Sequence, residues 1–227
     1  MEAGLQIFNE DNHIQIDSKF ENYLLTAKGT MATSVSAGYN DTWFVVTIPT
    51  NFKDSMCAVR CTVEFAVLNG RDSSGNITHR VLTKSPTTFE YWLFSAAPVG
   101  DFKYGLEVYN GEGKRVFSAA AGYLKPLYFN TILVTRGSNE RVWQTVNTPD
   151  KNCAFMFTAY TMFLDGNTVP IPGGGIIAAG EFKLVSARTT GSGAQYHVET
   201  LNHDNIFRGV TDKGIAGFFL VDVDGLV

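Results

Sequence analysis

A pattern of apolar residues around a polar turn occurs twice in the chain and constrains its fold more than any other feature. The first copy runs from Gly4 to Asp17 and the second from Gly105 to Ser118, and they align without a gap. In each copy the central turn is rich in asparagine with glycine or acidic residues, which predicts a β-hairpin. A hairpin that recurs after about a hundred residues predicts two units of ordinary domain size.

The matching positions of the two copies carry the same kind of side chain. The pairs are Gly4 and Gly105, Leu5 and Leu106, Ile7 and Val108, Phe8 and Tyr109, Asn9 and Asn110, and Ile16 and Phe117. The two asparagines suit a positive φ or a local side-chain hydrogen bond in the turn. The hairpins are therefore expected to open two related β units rather than to form a binding site.

The rest of the chain also favours strands. Seventeen phenylalanines and nine tyrosines lie among valines and threonines, and 22 glycines supply turns. Strands are predicted at 20–25, 43–48, 58–68, 78–82, 88–94, 129–135, 141–146, 153–164, 180–187, 195–200, 205–211 and 217–223. Loops or turns are predicted at 28–41, with room for a short strand inside it, and at 69–76, 165–167 and 169–175. The segment 153–164 could also be a helix, but its aromatic and threonine content favours a strand, and almost no convincing amphipathic helix is visible. This pattern predicts an all-β fold of sandwich or barrel units.

Proline and glycine between Ala96 and Asp101 mark the best candidate boundary, directly before the second hairpin. The sequence therefore predicts two β-sandwich-like domains, 1–100 and 101–227, each opened by a similar hairpin.

The charge pattern argues against binding to nucleic acid. The formal net charge is −4, only 18% of residues are charged, and no basic run exceeds the pair Lys114-Arg115. Neutralising phosphates requires clustered lysine and arginine. A surface poor in charge instead suits a protein that is largely covered by neighbouring proteins.

Cysteine usage and hydropathy indicate a protein made in a reducing cytoplasm. Cys57, Cys61 and Cys153 do not form a disulfide framework and are expected to be reduced, partly buried thiols. The segment after Met1 lacks the basic and apolar regions of a signal peptide. The longest apolar runs are too short for a transmembrane helix, so no transmembrane segment is expected.

The best candidate for a metal site is a group of histidines and carboxylates near the C-terminus. His197 and Glu199 alternate on one strand face, and His203 and Asp204 follow across a turn that contains asparagine. The spacing matches no standard metal motif. An ordinary polar hairpin tip is therefore the favoured interpretation, and no catalytic, cofactor or metal residue is assigned.

Other short motifs lack the context that their chemistry requires. Asp222 to Gly225 resembles a fragment of a calcium loop but is better explained as a surface turn. Gly173 to Gly175 lacks the frame of a phosphate-binding loop, and Gly191 to Gly193 lacks that of a nucleophile elbow. Asn40 and Asn76 fit a glycosylation pattern that matters only in a secreted eukaryotic protein.

Aromatic side chains could form a platform for a carbohydrate or a partner protein, although in an all-β chain most of them belong to the core. The candidates are Trp43, Tyr91, Trp92, Trp143 and Tyr160.

The two hairpin segments resemble those of a bacteriophage tail protein family. Its members open with Gly-Leu-Gln-Val-Phe-Asn and continue through a turn to a hydrophobic-Phe-Asp-Ser ending. Gly4 to Asn9 matches that opening and Ile16 to Ser18 matches the ending, while the second copy carries Ser118 where aspartate is typical. The family is encoded among tail-tip and tail-fibre proteins of long-tailed phages and is mostly of unknown function.

This resemblance implies a non-enzymatic structural protein of the virion tail, made in the host cytoplasm. It would contact other tail proteins or the host cell surface and would form an oligomer in the virion. The alternative is a receptor- or carbohydrate-binding module, for which the aromatic residues and the polar loops at 69–76 and 188–195 would serve. A hydrolase of envelope polymers is the third hypothesis, although no acid pair can be singled out among 22 acidic residues.

Overall fold

A computed structural model describes most of the chain. The described residues are 6–8, 14–17, 23–38, 43–96, 106–113, 115–118, 121–135, 142–148, 151–158, 161–171, 175–191, 193–201 and 213–226. They form eighteen β-strands and no helix, which confirms the all-β prediction. Among them there is accordingly no apolar helix of membrane-spanning length.

Nine strands lie in each half of the chain. In the first half they are β1 (Gln6–Phe8), β2 (Ile14–Asp17), β3 (Leu24–Thr33), β4 (Val35–Ser36), β5 (Phe44–Pro49), β6 (Met56–Arg60), β7 (Phe65–Arg71), β8 (Ile77–Thr83) and β9 (Thr87–Ser95). In the second half they are β10 (Glu107–Tyr109), β11 (Arg115–Ser118), β12 (Pro126–Thr135), β13 (Gln144–Asn147), β14 (Cys153–Phe157), β15 (Met162–Ile171), β16 (Gly175–Thr190), β17 (Gly193–Leu201) and β18 (Lys213–Asp222).

Two large sheets contain fourteen of these strands. The first sheet has the order β12-β18-β14-β6-β9-β3, and the second has the order β13-β17-β16-β7-β8-β5-β4, with β15 also paired to β16. The repeated segments form the two predicted hairpins, β1-β2 and β10-β11. In the second hairpin the side chain of Asn110 accepts a hydrogen bond from the Glu112 amide at 3.1 Å, which is the expected local turn contact.

The two halves share one topology, so the duplication extends well beyond the hairpin. In the first half β3, β9 and β6 are neighbours in one sheet, and β5, β8 and β7 are neighbours in the other. In the second half β12, β18 and β14 repeat the first set, and β13, β17 and β16 repeat the second. Each half is therefore a small two-sheet unit with the same connection order.

Irregularities in strand pairing recur at the same offset as the hairpins. The register shifts between Ile7 and Phe8 in β1 and between Val108 and Tyr109 in β10. The register also shifts between Leu25 and Ala27 in β3 and between Pro126 and Tyr128 in β12. Bulges are specific structural features, so their recurrence shows that these strands are equivalent.

Both sheets continue across the predicted domain boundary. In the first sheet β6 pairs antiparallel with β14, with Val59 opposite Phe155 and Ala58 opposite Met156. In each pair the third residue of one strand lies opposite the fourth residue of the other strand. Exchanging β6 and β14 therefore gives the same pairing, so the halves meet with approximate twofold symmetry. In the second sheet β7 meets β16 at Phe65 and Ala187. We call this junction the seam.

The main core lies between the two sheets and includes residues of both halves, and two smaller buried clusters also contain residues of both. At its centre Phe155 is fully buried, with its ring centroid 4.5 Å from that of Phe218 and 4.7 Å from that of Phe157. Phe65 from the first half packs edge-on against Phe155 at 6.3 Å. The division into residues 1–100 and 101–227 stays a prediction about folding units, since the halves share their sheets and this core.

Several strand predictions require correction. The predicted strand 58–68 is two strands in different sheets, because the chain crosses between sheets at 61–64 without glycine or proline. The predicted strand 153–164 is likewise divided between β14 and β15.

Several predicted loops were also wrong. The segment 28–41, predicted as a loop with room for a short strand, contains most of β3 and all of β4, so its strand content was underestimated. The predicted turn 165–167 lies inside β15. The predicted loop 169–175 overlaps the ends of β15 and β16, with 172–174 outside the described residues. The predicted polar loop 188–195 is instead a tight turn between β16 and β17. The strand predicted at 205–211 and most of the boundary at 96–101 lie outside the described residues.

The three cysteines are free and buried, as predicted. Burial raises the pKa of the Cys57 thiol, so it stays protonated and behaves as a small apolar side chain.

Candidate functional site

A group of ionisable side chains lies at the seam in the second sheet, and we call it the seam cluster. Its members are Glu64 directly before β7, Lys84 directly after β8, Ser186 on β16, and His197 and Glu199 on β17. Ser186 lies opposite His197 in the antiparallel pairing of β16 with β17. Because strand side chains alternate, these residues point to the opposite face from Val185 and Val198, which are in the core.

Hydrogen bonds connect the cluster across the two halves. Glu64 Oε1 lies 2.7 Å from His197 Nε2 and accepts a second hydrogen bond from the Ser186 hydroxyl at 2.7 Å. Lys84 Nζ donates to Glu199 Oε1 at 2.5 Å. His197 is 5% exposed and Glu199 is 6% exposed. Each of these contacts joins a residue of the first half to one of the second, so the cluster holds the seam together.

The two carboxyl groups of the cluster have pKa values shifted in opposite directions. Burial opposes ionisation of Glu64, but hydrogen bonds from His197 and Ser186 outweigh it and hold the pKa of Glu64 below its usual value. Burial raises the pKa of Glu199, and the nearby Glu64 adds to this, although the Lys84 ammonium opposes it. Glu64 is therefore the ionised partner, and Glu199 is the carboxyl group that more readily holds a proton.

The cluster has the ligand types of a metal site but also a simpler explanation. Glu64, His197 and Glu199 each offer a ligand atom, and these atoms lie within 4.8 Å of one another. Among the described residues, Glu199 Oε2 and His197 Nδ1 find no hydrogen-bond partner. However, Lys84 already neutralises one of the two carboxylates, so a single additional proton balances the charge. A buried polar network accounts for the short contacts between these groups without a metal ion, and it leaves the two unpaired atoms without a partner among the described residues.

The sequence located two of the five residues of this cluster. The expectation that His197 and Glu199 share a strand face is confirmed, but the interpretation of a polar hairpin tip is wrong for them, since both are buried within β17. His203 and Asp204 lie outside the described residues. Glu64 and Lys84 were missed because they belong to the other half, and Ser186 was missed because it lies on a different strand, β16; no local pattern marks any of the three.

Of the aromatic residues proposed as a binding platform, the two tryptophans of the first half are buried and two others are half-buried. Trp43 is fully buried, Trp92 is 6% exposed, and Tyr91 packs against the core. Trp143 lies beside the seam cluster, with its ring centroid 4.1 Å from that of His197, and Arg188 covers its ring at 4.3 Å. Tyr160 lies outside the described residues. The tryptophans therefore stabilise the fold, and the structure does not assemble them into a platform.

The remaining candidate motif is a turn, as predicted. Asp224 follows β18, and its carboxylate accepts hydrogen bonds from the side chain of Asn152 at 2.6 Å and from its amide at 3.3 Å. These contacts hold the pKa of Asp224 below its usual value. The Asp224 carboxylate thus fastens the C-terminal turn to the loop before β14.

We expect Glu64→Gln to lower the free energy of unfolding by about 1.5–3 kcal/mol at pH 7, because a charged acceptor of two hydrogen bonds is lost. The folded-state pKa of Glu64 lies below its unfolded value, so the carboxylate stabilises the fold above the unfolded pKa of about 4.3. The loss should shrink as the pH falls below that value. Urea denaturation of both proteins at several pH values measures it.

Glu90→Gln is the matched control for this substitution. Glu90 forms an ion pair with Arg60, but its side chain is 43% exposed, so its loss should cost at most about 1 kcal/mol. Equal effects of the two substitutions at pH 7 would contradict the structural role of the seam cluster.

A second candidate site is an apolar surface at one edge of the first sheet, which we call the β12 surface. It consists of Leu127, Phe129 and Leu133 on β12 and Ile215 on β18. Their exposed fractions are 37%, 55%, 58% and 62%. Leu133 lies opposite Ile215, and Phe129 lies opposite Phe219 with ring centroids 4.9 Å apart. Exposed apolar side chains gathered in this way mark an interaction site more often than isolated ones do.

The equivalent edge of the same sheet is polar. At the offset of the repeat, Thr26, Lys28 and Ala32 of β3 correspond to Leu127, Phe129 and Leu133 of β12. Lys28 Nζ also donates a hydrogen bond to the Leu226 carbonyl at 3.1 Å. Charged side chains commonly protect edge strands from unwanted pairing. The β3 edge of the first sheet is thus protected from pairing by a charged side chain, whereas the β12 edge is apolar.

Comparison of the chain with protein-family models, with curated proteins and with solved structures found no match to any of them. Its function must therefore be inferred from these two sites and from the repeated hairpin.

Proposed function

We propose that this protein is a structural component of a bacteriophage tail tip or tail-fibre apparatus and acts through protein–protein contacts. The observation that carries this proposal is the β12 surface. Four of the nine large apolar side chains that are exposed among the described residues belong to this surface. Such a surface is costly in water and is stabilised when another protein covers it.

The resemblance of the two hairpins to those of phage tail proteins supplies the biological setting. Association with other tail proteins during assembly or host attachment gives the β12 surface a role, and the low charge of the chain is compatible with a covered surface. The location that follows is the virion tail.

The burial of the seam cluster also favours a structural role over catalysis. Its paired carboxyl groups have pKa values that differ in direction, as an acid–base pair requires. However, a substrate could not reach His197 or Glu199, which are 5% and 6% exposed. The same contacts join the two halves, which is a sufficient reason for their presence.

Two of the aromatic residues that motivated the alternative of a carbohydrate- or receptor-binding module do not support it. Trp43 and Trp92 are buried. The polar loop around Asp72 is a compact turn, in which the Asp72 carboxylate accepts hydrogen bonds from the amides of Ser74 and Asn76 at 2.8 and 2.9 Å. A turn stabilised by its own side chain has less freedom to adapt to a ligand.

Mass spectrometry of purified particles of the phage that encodes this protein tests the proposed function. We expect its peptides in particles that have been banded in a density gradient, at an abundance comparable to that of other tail-tip proteins. Lysate proteins of similar expression serve as the control for contamination. Absence of the protein from particles whose other tail proteins are detected would overturn the proposal.

A further inference from the structure

We propose that two copies of this chain associate through their β12 strands, which pair antiparallel about a twofold axis at Thr131. This inference rests on the proposed function, because it names a second copy as the first partner of the β12 surface. The six-stranded first sheet of each copy would then join that of the other copy, which gives one sheet of twelve strands.

The free edge of β12 is suited to such pairing. Among the described residues β12 pairs only with β18, so the strand ends the first sheet on its other side. The Thr131 amide donates to the side-chain oxygen of Asn130 at 2.8 Å, a local contact that pairing with a second copy would replace. Between Pro126 and Thr135 the strand carries no charged residue, and its one proline is at the first position. Natural edge strands usually carry charges, prolines or covers that prevent pairing. The bulge next to Leu127 lies at one end and leaves the following residues regular.

The outward side chains of β12 complement themselves in this register. With Thr131 opposite Thr131 of the second copy, Phe129 lies opposite Leu133, and Leu133 lies opposite Phe129. Cross-strand pairs of aromatic and aliphatic residues stabilise antiparallel sheets, whereas like charges placed opposite each other destabilise them. No pair in this arrangement brings two charges together.

The molecule already contains an interface of this kind. At the seam the equivalent strands β6 and β14 pair antiparallel in the same sheet, with the third residue of each opposite the fourth residue of the other. Pairing of β12 with β12 would repeat this geometry at the end of the same sheet and extend an interface that the chain uses internally.

The opposite edge of the sheet argues for a closed dimer rather than a filament. Pairing of β12 with β3 of the next copy would propagate without end. That contact would place Lys28 against the apolar residues of β12, and Lys28 is already bound to the Leu226 carbonyl. The charge on β3 thus disfavours the open assembly and leaves twofold pairing.

The size of the surface sets the expected affinity. The four exposed apolar side chains can supply at most roughly 400 Å² per copy, against ~800 Å² per partner in a standard stable interface. Ten residues of backbone edge add hydrogen bonds. We therefore expect a dissociation constant on the order of micromolar. The local concentration of the protein in an assembling tail would exceed this value, so the dimer would form there.

Analytical ultracentrifugation of the full chain between about 1 and 100 µM tests the inference. The wild-type protein should pass from monomer to dimer over this range. Thr131→Lys places two ammonium groups opposite each other at the twofold axis and should weaken association at least about tenfold. Thr30→Lys is the matched control, because Thr30 is the exposed residue of β3 at the corresponding position, and it should leave the dimer unchanged. Circular dichroism should show that both variants fold.

A cysteine substitution tests the register itself. Thr131→Cys should form a disulfide-linked dimer under mild oxidation, since directly opposed residues of antiparallel strands lie within disulfide reach. Thr30→Cys should not, and the native cysteines do not interfere because all three are buried. A wild-type protein that stays monomeric, an assembly larger than a dimer, or a dimer that Thr131→Lys does not weaken would each overturn the inference. Detection of the protein in phage particles is a separate result, so the dimer and the proposed function can fail independently.

Discussion

Phe155→Ala is expected to lower the free energy of unfolding by about 3–5 kcal/mol and to destabilise both halves of the chain together. Phe155 is fully buried and contacts Phe157 and Phe218 of its own half and Phe65 of the other half. Its removal leaves a cavity that rigid sheets on either side cannot close. Because the core and both sheets cross the seam, the loss is transmitted to the first half.

Differential scanning calorimetry and hydrogen exchange measure this effect. The wild-type protein and the variant should each show one transition, with the variant at lower temperature, and exchange should accelerate in strands of both halves. Val35→Ala is the control, because Val35 is 64% exposed on β4 of the second sheet and its truncation should cost less than about 1 kcal/mol. Two separate transitions, with only the second shifted by Phe155→Ala, would show that the halves fold as independent domains.

Gly193→Ala is expected to lower the free energy of unfolding by about 2–4 kcal/mol. Gly193 has a φ of 149°, a conformation that residues with a side chain rarely adopt, and a Cβ atom there would lie 2.0 Å from the carbonyl oxygen of Val146. The obstructing atom is backbone, so it cannot rotate away. β13 is an edge strand, so the cost is limited by the free energy needed to detach it from β17.

Urea denaturation gives the total loss, and hydrogen exchange shows where it arises. Amides of Gln144–Asn147 should lose protection first, because this strand is displaced by the new methyl group. Gly191→Ala is a control only two residues away: its Cβ would meet nothing within 4 Å, so the change should stay within about 0.5 kcal/mol. If Gly193→Ala were as stable as Gly191→Ala, the close pairing of β13 with β17 would be wrong.

Local pattern was sufficient to predict some strands. The apolar run before Pro49 predicts β5, and the short segments 78–82 and 88–94 predict β8 and β9 within a residue or two. In these places strand propensity and turn residues agree, and tertiary contacts do not change the outcome. The repeated hairpin also predicted the related openings of the two halves.

Other features depend on contacts that no local window contains. Residues 61–64 carry no glycine or proline, yet the chain passes there from one sheet to the other. Asp165, Gly166 and Asn167 have turn propensity but lie in β15, where they pair with Glu181, Gly180 and Ala179. Long-range pairing outweighs turn propensity in that segment.

The candidate sites show the same limit. Strand alternation was enough to place His197 and Glu199 on one face. Their partners Glu64 and Lys84 come from the other half, and they approach only because β7 and β16 are neighbours in the sheet. The β12 surface could not be predicted either, since its sequence resembles that of a core strand. Only the order of strands shows that β12 lies at an edge.

The two sites fit one account of the molecule. Two equivalent halves are joined at the seam by strand pairing, a shared core and the seam cluster. The polar edge at β3 is protected, and the apolar edge at β12 remains for association with a second copy and then with the tail. On this account the duplicated chain uses antiparallel strand pairing twice: inside the molecule between β6 and β14, and between two molecules through β12.

The most direct test is the amount of protein in purified phage particles when the gene is replaced by a Thr131→Lys or a Thr30→Lys variant. Quantitative mass spectrometry against a major tail protein gives this ratio. We predict that Thr30→Lys is incorporated at the wild-type level and that Thr131→Lys is reduced at least about tenfold. Equal incorporation of the two variants would contradict the central claim that the β12 surface carries this protein into the assembly.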